Sequence, residues 1–320
     1  MPPPNTPLTD MTNHMTDTKH TSTDTITRFY FDDCDMRGEM ITLNQSVEEA
    51  VAHQDLPSSA QALLAQFLSS AALLAGILKF EGLLTLQIRG DGDLPLIMAE
   101  ATHERHLRGI VRLRQEADGT TIDGSMLEGK NLRELVGNGV LTLTIDPEQG
   151  QRYQGIVPIE GKNIAECLSY YFSQSEQLAT KLWLFSDATH AGGFFLQALP
   201  ASAEQAKTER ATQQEQWHTL EVLADTLTAQ ESLTLPHQTQ LTRLFHEFKL
   251  HISGSVPTLF RCSCSQERSE NAVVALGKAD AYALIEEQTA INIDCQFCGQ
   301  FYTLKREDLD KIFPDEDKLH

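Results

Sequence analysis

The chain has 320 residues, 41% of them apolar, and carries 45 Asp and Glu against 25 Lys and Arg for a formal net charge of −20. That balance excludes a basic phosphate-binding surface, because nucleic-acid association is driven by cationic patches and counterion release, so no nucleic-acid partner is expected. The length suffices for one substantial core with smaller appendages, and no run of eighteen uninterrupted apolar residues suggests a membrane span.

Residues 1–25 are rich in Thr, Pro and Asp and nearly free of large apolar side chains, which predicts a disordered tail. They lack a basic region followed by an apolar run, so no secretory signal is expected and the cytoplasm is the expected compartment. Residues 28–31 read as a first strand and 46–53 as a short helix with Glu48 and Glu49 near its positive end. Leu63, Leu64, Phe67, Leu68, Ala71, Ala72, Ala75 and Leu78 then recur at helical spacing from a start near Ser58. Gln61, Gln66, Ser69 and Ser70 interrupt the stretch, which suits a buried core helix better than a membrane helix.

From 83 to 159 the period becomes that of strands. Leu84, Leu86 and Ile88 alternate before the turn Gly90-Asp-Gly92, a second apolar run covers 94–98, and Gly137-Asn-Gly139 precedes two further runs at 141–145 and 153–159. A helix at 163–174 and strands at 181–185 and 192–199 close this part. Short connections without strand–helix alternation predict an α+β fold of antiparallel sheets around the buried helix. Past Pro200 the composition turns polar. Trp217, Leu220, Leu223, Ala224 and Leu227 mark one amphipathic helix, and Leu241, Leu244, Phe245 and Phe248 mark another after Pro236. Such stripes dock on a neighbouring surface, and a stripe that docks can also undock.

Several motifs carry no chemistry. Gly90-Asp-Gly92-Asp-Leu-Pro95 has Pro where a dinucleotide loop needs its third Gly, and 155–163 has one spacer too many for a phosphate loop. His103-Glu104-Arg105-His106 has the wrong interval for a zinc protease. Cys34 and Cys167 have no thiol partner nearby in sequence and read as buried or incidental.

The remaining four cysteines form two close pairs, Cys262-Ser-Cys264 and Cys295-Gln-Phe-Cys298, with residues 265–294 between them. This pattern predicts one Zn²⁺ per reduced chain held by the thiolates of Cys262, Cys264, Cys295 and Cys298. Gly299 after the second pair can take the positive φ of a metal knuckle. The surrounding segment is acidic, with twelve Asp and Glu against six Lys and Arg from Cys262 to His320, and has few large apolar residues. Metal binding, worth about 10–16 kcal/mol in small zinc peptides, should therefore dominate its folding. Oxidising the thiolates ejects the metal, so such a site can work as a redox-operated fold switch. Two other readings fit the cysteines: a thiol–disulfide oxidoreductase using Cys295 and Cys298, and a zinc-ribbon scaffold or nucleic-acid adaptor, which the acidic balance disfavours.

The cysteine pattern resembles that of the redox-regulated 33 kDa chaperonins, the heat-shock protein 33 family. Phe260-Arg-Cys-Ser-Cys-Ser-Gln-Glu-Arg268, Gly137-Asn-Gly139, Tyr153-Gln-Gly155, Tyr171-Phe-Ser-Gln-Ser-Glu-Gln-Leu178 and Ala191-Gly-Gly193 resemble family blocks in family order, over about residues 26–313. The resemblance implies a chaperone of the oxidative stress response and not an enzyme. It implies that the reduced zinc form is inactive and that disulfides Cys262–Cys264 and Cys295–Cys298 form on oxidation, the latter first. The oxidised form would be a homodimer that holds unfolding client proteins without ATP and passes them to downstream ATP-dependent foldases. The expected organisation is a tail (1–25), an α+β core domain (26–200), a helical redox-responsive linker (201–255) and a four-cysteine zinc module (256–320).

Overall fold

The computed structural model describes residues 24–175, 178–200 and 208–314. The expected tail lies outside them up to residue 23. The core is α+β, as the sequence pattern predicts. Strands β1 (Thr25–Phe31) and β2 (Met36–Leu43) lead through α1 (Gln45–Val51) to α2 (Ser58–Ile77). Then follow β3 (Gly82–Arg89), β4 (Leu96–Thr102), β5 (His106–Arg112), a 3-10 turn, α3 (Leu132–Val136), β6 (Val140–Pro147), β7 (Tyr153–Val157), α4 (Ile164–Ser175), β8 (Thr180–Ser186) and β9 (Ala191–Ala198).

Two sheets clasp α2. One contains β2, β9 and β8, and the other β5, β4, β3, β6 and β7; all of these strands pair antiparallel. Helix α2 is long and apolar enough to cross a membrane, yet it is the packed centre of the protein, touching β2, β8 and β9 on one side and β3, β4 and β5 on the other. Leu64, Phe67, Leu68, Leu73 and Leu74 are fully buried there, each worth roughly 1.5–3 kcal/mol of transfer free energy. Its buried small residues Ser69, Ser70, Ala71 and Ala72 let both sheets approach closely. The alternation of Leu84, Leu86 and Ile88 on β3 turns all three toward this helix, which is why that segment is a strand.

The outer face of the first sheet is apolar as well. Phe29, Phe31, Met36, Met40, Phe194 and Leu196 form a second cluster there, with Phe29 stacked on Phe194 at 5.6 Å between ring centroids. It is covered by α5 (Thr208–Ala224) and α7 (His237–Phe245), through Leu220, Ala224, Leu241, Leu244 and Phe245, with Leu227 from the turn that leads into α6 (Ala229–Thr234). Both amphipathic stripes therefore dock, as expected. Helix α6 was not legible as a separate element; Thr228 and Glu231 start it with a reciprocal capping box.

The segment expected as a helical linker is helical only as far as Phe245. Residues Leu250–Pro257 instead form strand β10, which adds antiparallel to β1 and completes a five-stranded sheet in the order β10-β1-β2-β9-β8. Two residues later β11 (Leu259–Phe260) pairs in parallel with β5, on the edge of the other sheet. Thr258 makes the crossing: its N–H donates to the Asp24 carbonyl at 3.1 Å and its hydroxyl to the Arg105 carbonyl at 2.7 Å. A strap thus bridges the sheets and delivers the chain directly to Cys262.

The C-terminal module contains α8 (Gln266–Leu276), α9 (Lys278–Gln288), the hairpin β12 (Ile291–Asp294) and β13 (Phe301–Leu304), and α10 (Arg306–Ile312). Its buried apolar side chains are Val273, Ala281, Ile285, Ile291, Leu304 and Leu309. That core is small, in line with the apolar-poor composition.

Candidate metal centre

Cys262 and Cys264 lie on extended chain between β11 and α8, whose start is fixed by Ser265 accepting from the Arg268 N–H at 3.2 Å. Cys295 and Cys298 occupy the turn between β12 and β13. There the Cys295 carbonyl accepts from the Gly299 N–H at 2.7 Å, and the Cys295 N–H donates to the Gln300 carbonyl at 2.9 Å. Gly299 has φ +68°, the left-handed conformation expected of it, and a Cβ there would stand 2.9 Å from His53 Cβ.

These turns bring all four sulfurs within 4.8 Å of one another, with Cys262–Cys295 at 3.5 Å and Cys264–Cys298 at 3.4 Å. A metal tetrahedrally bound to four thiolates needs sulfur–sulfur edges of about 3.8 Å, so the cluster fits a metal ion. Both of these approaches cross between the two motifs while all four sulfurs share one cluster, so proximity alone selects no disulfide pairing. Among the described residues no His or carboxylate joins the group.

The donors around the sulfurs differ between the pairs. The Cys-x-Cys pair is held by side chains: the Arg108 guanidinium reaches Cys262 Sγ at 3.7 Å and the Tyr302 hydroxyl donates to Cys264 Sγ at 3.1 Å. Burial raises the Cys262 thiol, but hydrogen bonds from the Cys264 N–H, Arg108 and the neighbouring thiols outweigh it and bring the pKa down to about 7. The thiols of Cys295 and Cys298 are pushed up, chiefly by burial. Tyr302 rises to about 12, because its hydroxyl is spent on Cys264.

Cys34 and Cys167 are buried away from this cluster, as expected. Cys34 sits beneath the docked helices, and burial beside Asp33 and Asp35 raises it to about 12; Cys167 is enclosed in the main core. Sequence reasoning did not find Arg108, Tyr302 or the residues that seat the knuckle on the core. Arg108 lies 154 positions from Cys262 and no local pattern marks it. Tyr302, four residues after Cys298 on the returning hairpin strand, had a weak positional signal at best.

Two sheets clasping one helix, with a covered aromatic face and a four-thiol cluster on the module that follows, define an α+β protein with a candidate metal centre. A family model described as Hsp33 protein matches residues 24–305. The 33 kDa chaperonin of Pseudomonas paraeruginosa (strain DSM 24068 / PA7) is 48% identical over 287 residues, covering 89% of this chain and 93% of that protein. The 33 kDa chaperonin of Azotobacter vinelandii (strain DJ / ATCC BAA-1303) is 46% identical, with the same shares covered. In three dimensions the chain is similar to the crystal structure of the 33 kDa chaperonin (heat shock protein 33 homolog) from Thermotoga maritima, with a TM-score of 0.73 at 24% identity, over 90% of this chain and 97% of that one. This chain belongs to the Hsp33 family. Membership supports a chaperone function.

Proposed function

We propose that the protein is a redox-switched, ATP-independent holdase chaperone of the cytoplasm, and not an enzyme. The observation that carries this reading is a single one: four thiols within 4.8 Å, on a module joined by a short strap to helices that cover an aromatic sheet face. The ligands are Cys262, Cys264, Cys295 and Cys298, and the metal is zinc, one per reduced chain, because an all-sulfur tetrahedral set is one that zinc favours. Bound Zn²⁺ keeps the four sulfurs deprotonated and together, which ties the small apolar core of the module to the metal.

Oxidation by a peroxide removes that tie. Two equivalents of hydrogen peroxide accept two electrons each from the four thiolates. With four protons they give two disulfides, four waters and free Zn²⁺. A disulfide sulfur no longer carries the charge a metal–thiolate bond needs. The proposed pairs are Cys295–Cys298, closing first because two intervening residues allow a low-strain ring, and then Cys262–Cys264. The module (256–320) and linker (201–255) then loosen from the core domain (26–200). The face formed by Phe29, Phe31, Met36, Phe194 and Leu196, together with the apolar stripes of α5 and α7, becomes available to unfolding clients. Dimerisation of the oxidised form and transfer of clients to ATP-dependent foldases complete the proposal.

A thioredoxin-like oxidoreductase is disfavoured, since Cys295 sits in a hairpin turn and not at the start of a helix. The test is suppression of aggregation of a thermally unfolding client by one preparation, assayed reduced with zinc and again after peroxide. Activity only after oxidation is expected. Equal activity in both states refutes the switch.

A further inference from the structure

The knuckle does not hang free of the core. It is seated on β5 and on the end of α1, and one side chain of that seat touches both cysteine motifs. Arg108 on β5 stands directly across from Glu100 on β4, and its Nε donates to Glu100 Oε2 at 2.6 Å. The same guanidinium reaches Cys262 Sγ at 3.7 Å and lies over the Phe297 ring at 4.1 Å from its centroid. It therefore touches a residue of each cysteine motif, Cys262 in the first and Phe297, between the thiols of the second. The side chains of Arg108 and Glu100 are 14% and 10% exposed, so solvent screens these charges little. Arg112 donates to the Gln296 side chain, and His53 Nε2 lies 2.9 Å from the Gln296 carbonyl oxygen.

The strap uses the same strand. Leu259 and Phe260 pair with His106 and Leu107, and the Arg261 N–H donates to the Leu107 carbonyl at 2.9 Å. This parallel pairing is only two residues long, so it depends on what fixes the chain just beyond it.

We propose that Arg108 is the anchor through which the core reads the charge of the four-thiol centre, holding strap and knuckle down while the sulfurs are thiolates and releasing them once they are not. The inference rests on the metal–thiolate reading above. Four thiolates around a divalent metal carry a formal charge of −2, which a largely buried guanidinium in contact would stabilise; two disulfides carry none. Glu100 makes release inexpensive, because Arg108 keeps a carboxylate partner after the module leaves and the core retains no unpaired buried charge. Loss of the anchor frees a two-residue strand, and through Thr258 the freed segment is continuous with β10 at the edge of the other sheet. Arg108 is thus a positioning residue for the switch.

The experiment uses full-length reduced, zinc-loaded protein and two variants, Arg108→Met and Phe297→Ala. The second leaves the Arg108–Glu100 pair intact and removes only the ring on the module side, so a folding defect from an unpaired Glu100 cannot decide the outcome. Zinc transfer to a chromogenic chelator under reducing conditions should be about tenfold faster in both variants, the size typical of losing a partner of a metal ligand. Hydrogen exchange at Leu259 and Arg261 should be faster too, with α2 still protected. Peroxide should release those amides in the wild type and add little in Arg108→Met. Wild-type zinc transfer and wild-type protection in both variants overturns the proposal, as does an equal peroxide-induced release in wild type and Arg108→Met. If zinc transfer and amide exchange change as expected but the oxidised wild type fails to suppress aggregation, the anchor stands and the chaperone switch falls.

Discussion

The central core and the C-terminal module solve the same problem by opposite means. The core buries apolar side chains on both faces of a sheet and all round a twenty-residue helix, so no one residue decides whether it folds. Among its described residues the module buries six apolar side chains and gathers four sulfurs, so on the proposed reading its order hangs on one centre. Burial summed over many side chains is insensitive to redox state. A thiolate centre is not, and on the proposed reading this difference would let the C-terminal module come apart while the core remains folded. The helices α5–α7 belong to neither extreme: an apolar face holds them on the core, but polar contacts set their place.

The largest effect that could break this comparison comes from removing the metal. Stripping the proposed zinc from reduced protein with a strong chelator should unfold residues 262–312, read as complete loss of amide protection there, while α2 keeps its protection. A stabilisation on the order of 10 kcal/mol is at stake. A module that stays protected without metal would mean that its small apolar core suffices.

Acid should probe the middle region more gently. His237 opens α7 and is buried against the first sheet, with Nε2 2.8 Å from the Thr42 hydroxyl and Nδ1 2.7 Å from that of Thr27, which in turn lies 2.6 Å from the Ser255 hydroxyl. The residues lining this pocket include no carboxylate and no cation. Burial pulls the imidazole down from 6.5 to about 4, so the docked form is the neutral one. Docking stability from this group is fully present above pH 6.5 and is lost as the pH falls from there through about 4, in all roughly 3 kcal/mol. Exchange of the α6–α7 amides in reduced, zinc-loaded protein should accelerate over that window in the wild type, and distinctly less in His237→Gln. Identical profiles would place the acid sensitivity in the carboxylates instead.

The smallest expected effect concerns the pin between α5 and β8. Lys181 Nζ meets Glu221 at 3.0 Å and Asp225 at 2.8 Å, and the Trp183 indole N–H donates to Asp225 at 2.7 Å. Because Asp225 is half exposed, Asp225→Ala should cost at most about 1 kcal/mol, with a weak salt dependence. Trp183 fluorescence during denaturant titration measures it. A loss several times larger would show that polar pinning, and not the Phe29–Phe194–Phe245 face, holds the linker down.

The sequence by itself determined those features whose signal is local. Helix α2 was legible from Leu64, Phe67, Leu68 and Ala71 because helical periodicity lies in neighbouring residues, β3 was legible from alternation and β4, β6 and β7 from apolar runs, whereas β5, which carries Arg108, has no such local signal. Cys262, Cys264, Cys295 and Cys298 could be read as one site because ligand spacing within each motif is a property of a few residues, and Gly299 because the knuckle needs its conformation. Tertiary structure alone decided the rest. Leu250–Pro257 is mostly exposed and falls largely in the stretch that the sequence assigns to a helical linker; it is a strand because β1 offers an open edge to pair with. Arg105 takes a left-handed conformation unusual for a side chain of its kind, with φ 67°, and its carbonyl receives both the Thr258 hydroxyl and the Leu259 N–H. Arg108 reaches Cys262 only because β5 carries it beneath the knuckle. Spacing along the chain encodes which residues can form a metal site, whereas what that site rests on depends on contacts between segments far apart in sequence, and only the folded chain brings those together.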